Sequence, residues 1–105
     1  MFRNMHTRYQ PLYKWRGTKI DERDQPTDLD WLGYDGEIII GRIRMESGGP
    51  NNGMWQWSVL GPSVRRRLTL HQGFEVEPRE AIRKVEEYYH RLMRLNEMRG
   101  SKDDR

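Results

Sequence analysis

Cysteine is absent from this chain. Its absence excludes a disulfide framework, a thiolate metal site and a cysteine nucleophile. Apolar residues are scarce, at 34% of the 105, and no apolar run approaches the roughly 20 residues that span a bilayer. No membrane partner is therefore expected. The opening run Met1-Phe2-Arg3-Asn4-Met5-His6 lacks the apolar centre of a secretory signal, so a cytoplasmic location is the expectation.

Catalytic patterns are missing too. Ser47, Ser58, Ser63 and Ser101 lack a Gly-x-Ser-x-Gly elbow. His6, His71 and His90 show no metal-ligand spacing, and Gly48, Gly49 and Gly53 lead into a strand rather than a phosphate-cradling loop before a helix. Asp28, Asp30, Asp35 and Glu37 depart from the Asp-x-Asp-x-Asp-Gly plan of a calcium loop and read as a solvated acidic loop. The chain reads as no enzyme, with no cofactor and no metal.

What the chain does have is charge, at 33%, with four Trp and five Tyr to thicken a thin core. The net charge of +3 hides a segregated pattern. Arg3, Arg8, Lys14, Arg16 and Lys19 precede any acid, residues 21–37 hold seven acids against Arg23, and Arg42, Arg44 and Arg65-Arg66-Arg67 follow against Glu46. Segregation of this kind creates a basic face unless the acidic segment lies across it. The first twenty residues are either a basic arm that follows phosphates or a terminal segment whose Leu12 and Trp15 tuck onto the core.

An α+β fold is expected, a three-stranded antiparallel sheet at about 37–45, 54–60 and 66–76 packed against one helix at about 78–98. On the first strand Ile39, Gly41, Ile43 and Met45 share the parity assigned to the core, leaving Arg42 and Arg44 on the other face with Ile38 and Ile40. Gly48-Gly49-Pro50-Asn51-Asn52-Gly53 marks a hairpin loop. Trp55, Trp57 and Val59 form the core side of the second strand; on the third, Leu68, Leu70, Phe74 and Val76 share one parity and Arg65, Arg67, Thr69 and His71 the other. Pro78 suits a first helical position, and Ala81, Ile82, Val85, Tyr88, Tyr89, Leu92 and Leu95 recur as an apolar stripe. Glu80 with Lys84 and Glu87 with Arg91 have ion-pair spacing, and Gly100 marks the helix end. Residues 31–98 thus read as one β-β-β-α domain. A partly flexible arm and acidic loop, 1–30, precede it, and a frayed tail, 99–105, follows.

With Trp55 and Trp57 assigned to the core, the candidate site is the arginines of the opposite sheet face. Arg42, Arg44, Arg65, Arg66, Arg67 and His71 are the candidate nucleic-acid-binding residues, the cations neutralising phosphates and releasing counterions. Tyr34-Asp35-Gly36, Gly41-Arg42-Ile43, Gly49-Pro50, Gly53-Met54-Trp55-Gln56-Trp57-Ser58, Gly73, Arg79-Glu80-Ala81, Val85-Glu86 and Tyr89 carry a resemblance over residues 28–93. This run resembles a set of short, uncharacterised proteins common in α-proteobacterial and prophage sequences, and implies a strand-strand-strand-helix fold without supplying any catalytic residue. The element order is also similar to the ethylene-response-factor DNA-binding domain of plants and the arm-binding domain of phage integrases. Those domains use a three-stranded sheet braced by one helix to enter the major groove. A small nucleic-acid-binding or regulatory domain for DNA or RNA is the leading expectation. The alternative is a phage-derived inhibitor of the anti-CRISPR type, its acidic 21–37 segment engaging a nuclease complex. A homodimer through a sheet edge or the helix is compatible with both.

Overall fold

The computed structural model describes residues 9–18 and 28–103, with side chains through residue 97. The first eight residues of the basic arm, and 19–27 of the acidic loop, lie outside the described residues. One antiparallel sheet carries one helix: β1 Lys14–Gly17, β2 Asp30–Asp35, β3 Ile38–Met45, β4 Trp55–Val59, β5 Gln72–Glu75, then α1 Pro78–Asp103. The strands stand side by side in chain order, and α1 packs on β3, β4 and β5. Among the described residues no helix is long and apolar enough to cross a membrane.

The sheet has five strands, not three. The two added strands, β1 and β2, come from segments whose mixed composition hides their period. Lys14-Trp15-Arg16-Gly17 alternates exposed and half-buried positions and pairs with β2 from Lys14 opposite Tyr34 to Gly17 opposite Trp31. Trp15 lies flat over Gly33, where an added Cβ would fall 2.6 Å from the indole. The pairing therefore depends on a residue without a side chain at 33. At the other edge β5 is shorter than the expected 66–76. The chain between Gly61 and His71 leaves the sheet, and Asn96 of α1 holds its backbone by accepting from Arg66 N–H and donating to Arg66 C=O, both at 3.0 Å.

Parity along β3 is also corrected, by one extra residue. Gly33 pairs with Gly41 while Tyr34 pairs with Ile39, so Ile40 has no partner on β2. A bulge of this kind turns two successive residues toward the same side. Ile40 and Ile43 are consequently fully buried, whereas Ile39, assigned to the core by simple alternation, is exposed. Leu70, Phe74 and Val76 are exposed as well, because the run that held them is not one strand; Leu68 packs against the core from the 61–71 segment.

The core joins Ile40, Ile43, Trp55, Trp57 and Val59 to Ala81, Val85, Tyr89 and Leu92, as the helical stripe and the Trp-x-Trp parity require. Trp57 meets Tyr88 with ring centroids 5.4 Å apart. Helix α1 opens at Pro78, with Glu77 C=O accepting from Ala81 N–H at 3.1 Å, and continues past Gly100 to Asp103. On its outer side Glu87 meets Arg91 at 2.9 Å as its spacing predicts, whereas Glu80 pairs with Arg83 rather than Lys84.

Candidate nucleic-acid interface

The helix covers one face of the sheet, and no described helix or strand packs on the other. Directly paired residues of neighbouring strands point to the same side, so the register defines the uncovered face as three rows. The first is Lys14, Tyr34 and Ile39; the second is Arg16, Leu32, Arg42, Ser58 and Gln72; the third is Asp30, Arg44, Gln56 and Phe74. Four cations stand in those rows against one acid, Asp30. Their intervening neighbours, such as Trp15, Gly41, Ile43, Trp55 and Trp57, turn to the helix side.

Each cation is differently held. Arg42 donates from both Nε (2.8 Å) and Nη2 (2.5 Å) to the carboxylate of Asp30, a two-point contact that fixes the plane of the guanidinium. This hydrogen bonding raises the Arg42 pKa above its ordinary value despite opposition from burial, so the group is cationic at every working pH. Arg44 has only a loose ion pair with Glu46, at 3.7 Å. Arg16 sits with its guanidinium carbon 5.5 Å from the centroid of Tyr34, a cation–π distance. Beside them Lys14, Arg16, Tyr34, Gly36 and Glu37 line an open cleft of about 600 Å³.

Of the residues singled out from sequence, Arg42 and Arg44 lie on this face. Arg65, Arg66 and Arg67 are exposed in the 61–71 segment, whose Val64 and Leu68 pack against the core and whose backbone is bonded to α1. They stand on the helix side of the sheet. His71 is exposed at the entry to β5, its carbonyl accepting from Val59 N–H at 2.8 Å. The arginine triplet and the strand pair therefore do not converge, because the parity that joined them was extended through residues that are not strand. Lys14 and Arg16, read from sequence only as part of a basic arm, join this face through β1, and Tyr34 and Phe74, not singled out as candidates, join it through β2 and β5. The available signal was the alternation of cation and aromatic in Lys14-Trp15-Arg16, which only a strand partner makes legible.

The helix side has its own polar centre. Glu86 is fully buried, and its carboxylate accepts from Tyr9 OH (2.5 Å), Leu12 N–H (3.0 Å), Tyr13 N–H (3.1 Å) and Trp15 Nε1 (3.0 Å). Nearby, Tyr13 OH lies 2.7 Å from His90 Nε2, and Tyr89 OH donates to Asp35 at 2.9 Å. Burial and then the hydrogen bond to Glu86 push the Tyr9 hydroxyl well above its ordinary pKa. These contacts bind residues 9–15 to the helix and so hold β1 at the sheet edge. Of the packed reading of the N-terminal segment, Trp15 does lie against the core, whereas the Leu12 side chain is exposed and only its backbone N–H is anchored.

No protein-family model, curated protein or solved structure matches the chain.

Proposed function

We propose that this chain is a non-enzymatic nucleic-acid-binding domain that works through the uncovered sheet face, with Lys14, Arg16 and Arg44 on phosphates and Arg42 held beside them by Asp30. The observation that supports this reading is the register itself: four cations in three adjacent rows, on a face left open by every described helix and strand. Strands lie about 4.8 Å apart and same-face residues about 6.6 Å apart along a strand. Those spacings gather the four charges into one patch. Phosphate neutralisation supplies affinity by counterion release, with a logarithmic salt slope of about 0.7–0.9 per contact. The three contacts of Lys14, Arg16 and Arg44 correspond to a slope of about 2–3.

Titration of a labelled oligonucleotide at a series of salt concentrations tests the proposal. Binding at low salt, with the slope lowered by roughly one in Lys14→Ala, Arg16→Ala or Arg44→Ala, is the expected result. Arg65→Ala with Arg67→Ala, on the other side of the sheet, leaves the slope as it was. Absence of binding at low salt, or a slope indifferent to all three face substitutions, would falsify the assignment.

A further inference from the structure

We infer that the nucleic acid taken by this face is single-stranded, read by stacking on Tyr34 and Phe74. The inference rests on the proposal above and narrows it.

Width is the first argument. Five strands at about 4.8 Å spacing make a sheet about 19 Å across, while the major groove is about 12 Å wide and admits a helix or a two-stranded ribbon. A five-stranded sheet laid flat is wider than that groove. Rigid duplex DNA would therefore meet the face only through its outer phosphates.

The second argument is where the aromatics stand. Tyr34 and Phe74 both belong to the uncovered face, Tyr34 in the row of Lys14 and Phe74 in the row of Arg44. Phe74 is 39% exposed although it belongs to a sheet whose other side has a core to fill. Tyr34 lines the open cleft with Lys14 and Arg16. A paired, stacked base offers its face to neither ring, whereas an unpaired base does.

The third argument is the path between them. From Tyr34 on β2 to Phe74 on β5 is three strand spacings across and two rows along, a diagonal of about 20 Å. Arg42 stands in the middle row of β3, between the two rings, and Arg44 and Gln56 stand in Phe74's row. One arginine between two ring platforms, with Arg44 beside the second ring's row, suits a flexible strand whose phosphates meet arginine and whose bases meet aromatics. Sequence-tolerant binding is the consequence, since every base has a face to stack.

The test compares a mixed-sequence oligonucleotide as deoxyribo single strand, ribo single strand and deoxyribo duplex, at matched length and salt. At least one single strand is expected to bind tenfold or more tighter than the duplex. Tyr34→Ala and Phe74→Ala each lower single-strand affinity about tenfold while keeping the salt slope, because stacking releases no counterions. Tyr34→Phe and Phe74→Tyr, which keep the ring, restore affinity and guard against misfolding as the cause. Duplex binding equal to or tighter than both single strands overturns this inference and leaves nucleic-acid binding in place. Failure of all three ligands to bind overturns both.

Discussion

Glu86 is the residue whose environment most constrains the rest of the molecule. A carboxylate with no exposed surface is costly unless its oxygens are fully engaged, and here one hydroxyl, two backbone N–H groups and an indole N–H converge on it. All four donors come from residues 9–15. Removing the carboxylate leaves the donors buried without an acceptor and frees the segment that leads into β1. Glu86→Ala is expected to cost about 3 kcal/mol, the upper end for leaving buried hydrogen-bond donors without an acceptor. Urea unfolding gives that value directly. Native-state hydrogen exchange should show the Leu12 and Tyr13 amides losing protection, and unchanged protection there would refute the anchoring role. Glu86→Gln keeps the size but turns an amide donor toward donors, so it does not rescue.

At the scale of elements, β3 decides how the layers meet. Its bulge at Ile40 places Gly41 directly beneath the helix, where an added Cβ would lie 2.4 Å from Val85 Cγ1 and 2.5 Å from Ser58 O. The valine could shift, but the carbonyl belongs to the β3–β4 ladder and cannot move without breaking it. Gly41→Ala should therefore destabilise by about 1–3 kcal/mol, read as a lower urea midpoint at unchanged m. Retention of full stability would mean that the helix sits farther from the sheet. Such a contact explains which parts of the architecture were legible in the sequence. The helix and the Trp55-Gln56-Trp57 strand announce themselves because their apolar spacing continues over several residues. The bulge is invisible to alternation, since it is the departure from alternation. β1 is four residues long and stable only against β2, so nothing local marks it. The 65–71 run fails for the opposite reason. Its alternation is clean, yet Asn96, thirty positions away, bonds Arg66 out of the sheet. The candidate site inherits both outcomes: Arg42 and Arg44 were found on a well-marked strand, while Arg16 and Tyr34 needed a pairing the sequence does not display.

Across the whole molecule, the four strand cations stand on one face of the sheet and Tyr9, Tyr13 and Tyr89 on the other, against the helix. On the open face Asp30 holds Arg42 in its cationic form, raising its pKa through the hydrogen bond, so binding there should vary little between mildly acidic and neutral pH. The covered face is where pH acts, through three tyrosines that join the N-terminal segment, β2 and α1. Burial, with the hydrogen bond to Asp35, lifts Tyr89 from 10.0 to about 12. Burial also raises Tyr13, with the charges of Asp35 and Glu86 adding to it, and raises Tyr9 beside Glu86. In each case the folded protein holds the proton more tightly than the unfolded chain does. The stability so contributed is complete below pH 10, where both states are protonated, and is lost as pH rises through the folded value. For Tyr89 alone the rise to about 12 is worth about 2–3 kcal/mol at strongly alkaline pH. Alkaline unfolding should therefore occur cooperatively above pH 10, with ionisation of Tyr9, Tyr13 and Tyr89, read residue by residue in NMR spectra, coinciding with loss of helical circular dichroism. Tyr89→Phe removes one ionising group along with its hydrogen bond to Asp35. It should lower stability at neutral pH by about 1 kcal/mol and flatten the decline above pH 10. If those three phenolates instead form well before the helix is lost, Tyr9, Tyr13 and Tyr89 are solvated in the folded state. The clasp of residues 9–15 on α1 would then not have the closed form described.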